Sequence, residues 1–275
     1  MALDREIRNS SNSYSVGRKV AETDSYRLYL CIQNETGRQC LFQIAVSVEH
    51  NGGLERAAYI LKKLQSRADD LEAEYARVKT DPNVFLNYGL GFPDLADSFI
   101  SQEQGARRVN ILAFRNVEEI GKMVPLDNII EKDGMRVDLR TSAWIMGKLL
   151  KMLAFAHGEK ISVGLLNGRN VIIEPNEHYV LIFDWSAART HTEYVPLRSQ
   201  LYDISQAAKA VVAVLGGDLE TGVFPDDDNS GYADYILGLA RGKGNNAQKA
   251  HGEFYDLVDK LWKREYHPFT TKLNK

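Results

Sequence analysis

Apolar positions recur along the chain with two periods, one near two and one near 3.6. Alternation over YRLYLCIQ (26–33) and CLFQIAVSV (40–48) predicts two strands, and NETG (34–37) between them is a turn signal, so an antiparallel hairpin is expected. HNGG (50–53) breaks the strand. From Leu54 the residues Ala57, Ala58, Leu61, Leu64, Ala68, Leu71, Tyr75 and Val78 fall at spacings of three and four, which predicts a long helix stopped by TDPN (80–83). Short strands are expected near 85–88 and over RVNILAF (108–114), with helical patterning after Asn116 and a short segment at PLDNII (125–130). VDLRTSAWIMGKLLKMLAFAH (137–157) predicts a second strong helix, with Thr141 or Ser142 as its cap. VII (171–173) and YVLIF (179–183) flank PNEH as a second hairpin. A loop at 189–198 leads to an apolar helix over 199–218 ended by Gly216-Gly217. Loops are read at DDDNSG (226–231) and GKGNN (242–246), followed by a helix over 248–264 and the tail YHPFTTKLNK.

This order gives an α+β chain in two unequal lobes: a polar, loosely held start at 1–13, a β-rich part over 14–115 and a mostly helical part over 116–275. Composition narrows the function classes. With 44% apolar and 26% charged residues and a formal net charge of −3, the chain reads as globular and not as a basic nucleic-acid binder. Arg107-Arg108 and Lys148/Lys151 are small basic clusters read as solvated faces. Cys31 and Cys40 each lie in a strand-like run and are read as a reduced pair of small apolar residues. No CxxC pair occurs and the six histidines are scattered, which argues against structural zinc. There is no apolar h-region in MALDREIRNSSNSYS and no apolar run near 18 residues, so no membrane association and a cytoplasmic location are expected.

The order of elements resembles the protein-kinase fold: strand–loop–strand, a third strand, a helix, a hinge strand, a long helix, a loop, a hairpin and an Asp-containing turn. The Trp-bearing helix ending in AFAH, the glycine-containing loop after it, VIIEPNEH, LIFDW and the late HPFT further resemble a bacterial group of degenerate kinase-like proteins, over roughly 14–270.

The resemblance assigns positions whose chemistry can be weighed. A phosphate-covering loop needs glycines so that backbone N–H groups can approach phosphate. In VGRKVAETDSYRLYLC only Gly17 lies near that place, and a turn is its plainer reading. Lys19 could lean over a phosphate, as could any exposed lysine. Gly17, Lys19, Ala113 and Asn116 are the nucleotide-binding positions that the resemblance suggests. Gln43 stands where a kinase has its strand lysine, and Ala57 where the helix has the partner glutamate; losing both charges together avoids a lone buried ion. Glu55 and Arg56 flank Ala57, but a carboxylate there would meet no charge at Gln43. Counting back from Asn170, the loop VGLLNGRN puts Val163, Gly164 and Leu165 on the catalytic triplet. Leucine cannot accept a proton or orient a nucleophile. Asn170 and Asp184 remain as candidate Mg²⁺ ligands, with backbone hydrogen bonding as the competing reading of each. His157 is read as packed or capping. Asp203 is read either as an anchor of the catalytic-loop backbone or as a helix N-cap. Trp144, Trp185 and Trp262 are read as packing residues.

Three readings therefore stay open. One is a pseudokinase that binds a protein partner, tuned by a nucleotide if ATP with Mg²⁺ enters. Another is an active atypical phosphotransferase relying on Asp184 and Asn170. The third is an interaction-only domain whose cleft is filled by Phe42, Leu165 and Trp185. The first implies that the chain is not an enzyme.

Overall fold

The structure is a computed structural model and describes residues 5–9, 11–81, 84–117, 119–176, 178–226, 228, 230–262 and 266–274. The chain forms two compact units. The first comprises Met1–Lys122 with Trp185–Ala187, and the second Met123–Asp184 with Ala188–Lys275. The division falls a few residues beyond the expected boundary at 115/116, and it returns the three residues after Asp184 to the first unit.

The first unit is built on an antiparallel six-stranded sheet in the order β1-β2-β3-β4-β6-β5. Its strands are β1 (Arg5–Arg8), β2 (Ser13–Glu22), β3 (Tyr26–Gln33), β4 (Arg38–Ala45), β5 (Asp94–Ser101) and β6 (Arg107–Ala113). The β3–β4 hairpin turns at 34–37 as predicted, with Gly37 at φ +70°. One sheet face closes over Ile7, Tyr14, Val16, Cys31, Cys40, Phe42, Ile44, Val109 and Ile111. Tyr14 stacks on Phe99 and donates to Asp97 at 2.6 Å, joining β2 to the edge strand β5. Helix α1 (Asn51–Val78) buries Leu54, Ala57, Ala58, Leu61, Leu64 and Ala68 of the expected stripe, together with Ile60; Leu71 and Tyr75 are half-buried and Val78 is exposed.

Two expectations fail in this unit. The start of the chain is not uniformly loose, because Glu6–Arg8 and Arg5 pair with β2 and Ile7 enters the core. The strand expected near 85–88 lies instead at 94–101; a short 3₁₀ turn occupies Tyr88–Gly91. DLADSFIS hides its strand character because a bulge at Ala96 breaks the alternation and Asp97 turns a carboxylate toward Tyr14.

The second unit is mostly helical. Its elements are β7 (Val124–Pro125), α2 (Asn128–Glu131), β8 (Met135–Val137), α3 (Leu139–Gly158), β9 (Ile161–Ser162), β10 (Val171–Glu174), β11 (Tyr179–Ile182), β12 (Arg189–Thr190), α4 (Leu197–Val214), α5 (Tyr232–Ala240), α6 (Ala247–Leu261) and β13 (Thr271–Leu273). Packing centres on α3 against α4 and α6. The cap of α3 is Asp138, which accepts from Thr141 N at 2.7 Å. Thr141 and Ser142, expected as caps, lie inside the first turn, where Ser142 Oγ donates to Leu139 O. The β10–β11 hairpin forms as predicted. Helix α4 ends before Gly216, whose φ of +76° suits a left-handed stop. Among the described residues the patterning just after Asn116 yields a 3₁₀ turn at Ile120–Lys122, and α5 had no prediction. The tail is not free: Thr271–Leu273 pairs with β8, and His267 Nε2 lies 2.9 Å from Asp138 Oδ2. The last residues of the helix expected over 248–264 fall outside the described residues.

Candidate functional site

The loop between β9 and β10 carries the decisive positions, and α4 holds it in place. Asp203 sits in the middle of α4 with 1% exposure and accepts from Val163 N at 2.8 Å and Gly164 N at 2.9 Å. His157, near the end of α3, places Nε2 2.9 Å from the same carboxylate. The anchor reading of Asp203 therefore holds and the N-cap reading does not. Two backbone donors and a ring nitrogen converge on one buried carboxylate, which fixes the loop's first turn.

Asn170 closes the other end. Its Nδ2 donates to Leu165 O at 2.6 Å and to Asp184 O at 3.0 Å, while its Oδ1 accepts from Asp184 N at 2.5 Å. Phe183 N also donates to Asn170 O at 2.9 Å. Asn170 and Asp184 are thus adjacent, as their spacing across the hairpin suggested. The amide of Asn170 is spent on backbone groups, so its one metal-competent oxygen already receives an N–H. Among the described residues no group of three His, Cys, Asp or Glu side chains is placed to hold a metal ion.

Leu165, at the position that the resemblance gives to a proton acceptor, is 41% exposed, so it does not point into a core. Its neighbour Leu166 is the buried one. Phe42 and Trp185 are buried, Trp185 with its ring edge-on to Phe92 at 6.5 Å.

One carboxylate that sequence spacing could not find lies against this loop. Asp127, just before α2, has its side chain over Gly168: a Cβ added there would stand 1.7 Å from Asp127 Oδ1. Burial raises the pKa of Asp127 from its ordinary value, Glu131 adds to the rise, and Arg169 opposes it. Asp127 lies about forty residues upstream of the loop it touches, and only the pairing of β7 with β10 brings it there. Its presence is the visible reason for glycine at 168.

In the first unit Gln43 is 2% exposed and paired in register with Asn110, whose Nδ2 lies 3.3 Å from Gln43 Oε1 and donates to Leu54 O at 2.9 Å. Ser98 Oγ donates to Asn110 Oδ1 at 2.8 Å. A neutral amide network thus ties β4, β6, β5 and α1. Ala57 is buried on α1. Glu55 does not approach Gln43; it takes Arg108 Nη2 at 2.9 Å. Arg107 and Arg108 are accordingly half-buried and bonded, not a solvated face. Lys148 and Lys151 are likewise half-buried, and burial lowers the pKa of Lys148.

The four positions that the resemblance suggests for a nucleotide are scattered within this unit. Gly17 lies inside β2 beside a bulge, not in a turn, and a Cβ there would meet only Leu30 O at 3.5 Å. The β2–β3 turn is built from Thr23, Asp24 and Ser25, without glycine. Lys19 is bonded to Glu22, which Arg27 Nε also reaches at 2.7 Å. Ala113 ends β6, fully buried, and Asn116 is an exposed left-handed residue with φ +56°. Trp144 packs on His178 and Phe269, and Trp262 on Tyr232.

No family model matches the chain, and no curated protein sequence matches it. Solved structures do. One described as the structure of vaccinia related kinase 3 aligns with a TM-score of 0.62 at 12% identity, covering 95% of this chain and 90% of its own. The BubR1 kinase domain aligns with a TM-score of 0.61 at 10% identity, covering 94% and 84%. At such identities the likeness speaks for fold alone. The chain has the two-lobe α+β fold of a protein kinase domain.

Proposed function

We propose that this chain is a pseudokinase: it keeps the kinase fold to bind a protein partner, and a nucleotide, where one binds, modulates that recognition. The observation that carries this reading is the contrast within one loop. The scaffold is intact, with Asp203 gripping Val163 and Gly164 and Asn170 gripping Leu165 and Asp184, yet the side chain offered at the acceptor position is Leu165. Phosphoryl transfer draws on positioning and charge, and here the strand lysine and its glutamate are missing as well, replaced by the Gln43–Asn110 amide pair and by Ala57. Loss of one group would be compatible with an altered mechanism; loss of all three removes the proton acceptor and the phosphate clamp together.

Partner binding is supported by the segment that replaces an activation loop. Tyr194, Leu197 and Tyr202, in and just after 189–198, are each more than half exposed. No helix among the described residues is long and apolar enough to cross a membrane. If a nucleotide binds, Asp184 would carry the Mg²⁺, which would neutralise phosphate charge. Binding of ATP, ADP or GTP, with and without Mg²⁺ or Mn²⁺, is read by thermal shift, since a ligand taken up by the folded state alone raises its melting temperature. A metal-dependent shift that Asp184→Ala removes supports nucleotide modulation. No shift with any of the three leaves partner binding alone and makes the interaction-only reading the better one. Phosphorylation of an added protein overturns both.

A further inference from the structure

We infer that Cys31 and Cys40 form a reversible intrachain disulfide that staples β3 to β4 when the protein meets a peroxide. The two residues face each other in the antiparallel register, on the third rung from the 34–37 turn. Directly opposed residues in such a ladder have Cα atoms about 4.5 or 5.5 Å apart, depending on the kind of rung. Both values lie inside the range of about 4.4–6.8 Å that a disulfide spans, so no strand has to slide. Both thiols are free and belong to the same buried cluster as Tyr14, Phe42 and Ile111. They are also the chain's two cysteines, so no competing intrachain partner exists.

The environment assigns the roles. The hydrogen bond between the thiols favours ionisation of Cys40, and the positive charge of Arg38 adds to this; Cys31, its proton held by Cys40 and by burial, stays a thiol. Cys40 sulfur attacks one oxygen of hydrogen peroxide, the O–O bond breaks, and the leaving hydroxide takes a proton to become water. The sulfenic acid on Cys40 is then attacked by Cys31 sulfur. The S–S bond forms, the S–O bond breaks, and hydroxide departs with the Cys31 proton as a second water. Two thiols are oxidised to one disulfide and one peroxide is reduced to two waters. Cys31 and Cys40 are 4% and 0% exposed, so peroxide reaches them through transient opening of the hairpin end.

The test uses the full chain. Reduced protein is exposed to hydrogen peroxide, then unfolded in N-ethylmaleimide and weighed intact. A parallel arm refolds the chain in a glutathione redox buffer, which removes any barrier of access. The expected product is monomeric, two hydrogen atoms lighter, without maleimide adducts, returned to two adducts by dithiothreitol, and higher melting than the reduced form. Cys31→Ser and Cys40→Ser should each lose this product. Two maleimide adducts in both arms, or oxidation only to sulfinic acid or to intermolecular dimers, would overturn the inference.

Discussion

Replacing Asp203 by alanine should release the front of the 163–170 loop. The substitution leaves the Val163 and Gly164 N–H groups and His157 Nε2 without their shared acceptor, in surroundings where Asp203 itself is 1% exposed. Each buried donor left unsatisfied costs about 1–3 kcal/mol, which puts the two backbone groups together near 4 kcal/mol. At about 2–4 °C per kcal/mol for chains somewhat smaller than this one, the melting temperature should fall by roughly 8–16 °C. Asp203→Asn keeps one acceptor oxygen and should lose about half as much. Differential scanning fluorimetry gives the global number, and amide hydrogen exchange gives the local one: protection at Val163 and Gly164 should drop ahead of the rest of the second unit. A melting temperature within about 2 °C of the parent, with those two amides still protected, would refute the anchoring role and leave at most a cap-sized contribution.

Other perturbations test neighbouring contacts. Gly168→Ala places a methyl group where Asp127 Oδ1 lies, so it should destabilise by about 1–3 kcal/mol in chemical denaturation, and Asp127→Ala in the same chain should recover most of that loss. Gln43→Lys sets an ammonium into the buried Asn110 network while Glu55 stays with Arg108, and should cost about 3 kcal/mol or more by denaturant midpoint; Gln43→Leu, which breaks only the amide contact, should cost less. Arg136 bonds Asp226 bidentately and Lys272 adds a third contact, holding the Asp226 carboxyl below the usual range. Because the folded-state value is the lower one, the stabilisation is present above the unfolded value of about 3.9 and is lost as pH falls below it. Asp226→Asn should lower the melting temperature at neutral pH and flatten the decline between about pH 4 and pH 2.

The sequence displayed its fold wherever one face of an element is buried and the other is wet. The α1 stripe from Leu54 to Ala68 follows from period, and the β3–β4 and β10–β11 hairpins from apolar runs on either side of a polar turn segment. Strand β5 escaped because its bulge and Asp97 disrupt alternation, and α5 because its nine residues are apolar nearly all round. At the site, Leu165 could be placed by counting back from Asn170 within one short loop, and Asp203, on α4, only by resemblance. What could not be counted is contact at long range. Asp127 reaches Gly168 only through the β7–β10 pairing, and Asn110 takes over the partner role beside Gln43 only because β4 lies next to β6. The tail at 271–273 finds β8 in the same manner, through edge pairing that three exposed residues do not announce.

Transfer of the γ-phosphate of radiolabelled ATP, with Mg²⁺ and then Mn²⁺, to water, to the chain itself and to general protein acceptors most directly tests whether Leu165 marks a lost activity. Label release and incorporation should stay at the level of a protein-free blank, the same for the parent chain and for Asp184→Ala. Turnover above that blank which Asp184→Ala abolishes would mean that the fold still catalyses phosphoryl transfer without a carboxylate at position 165.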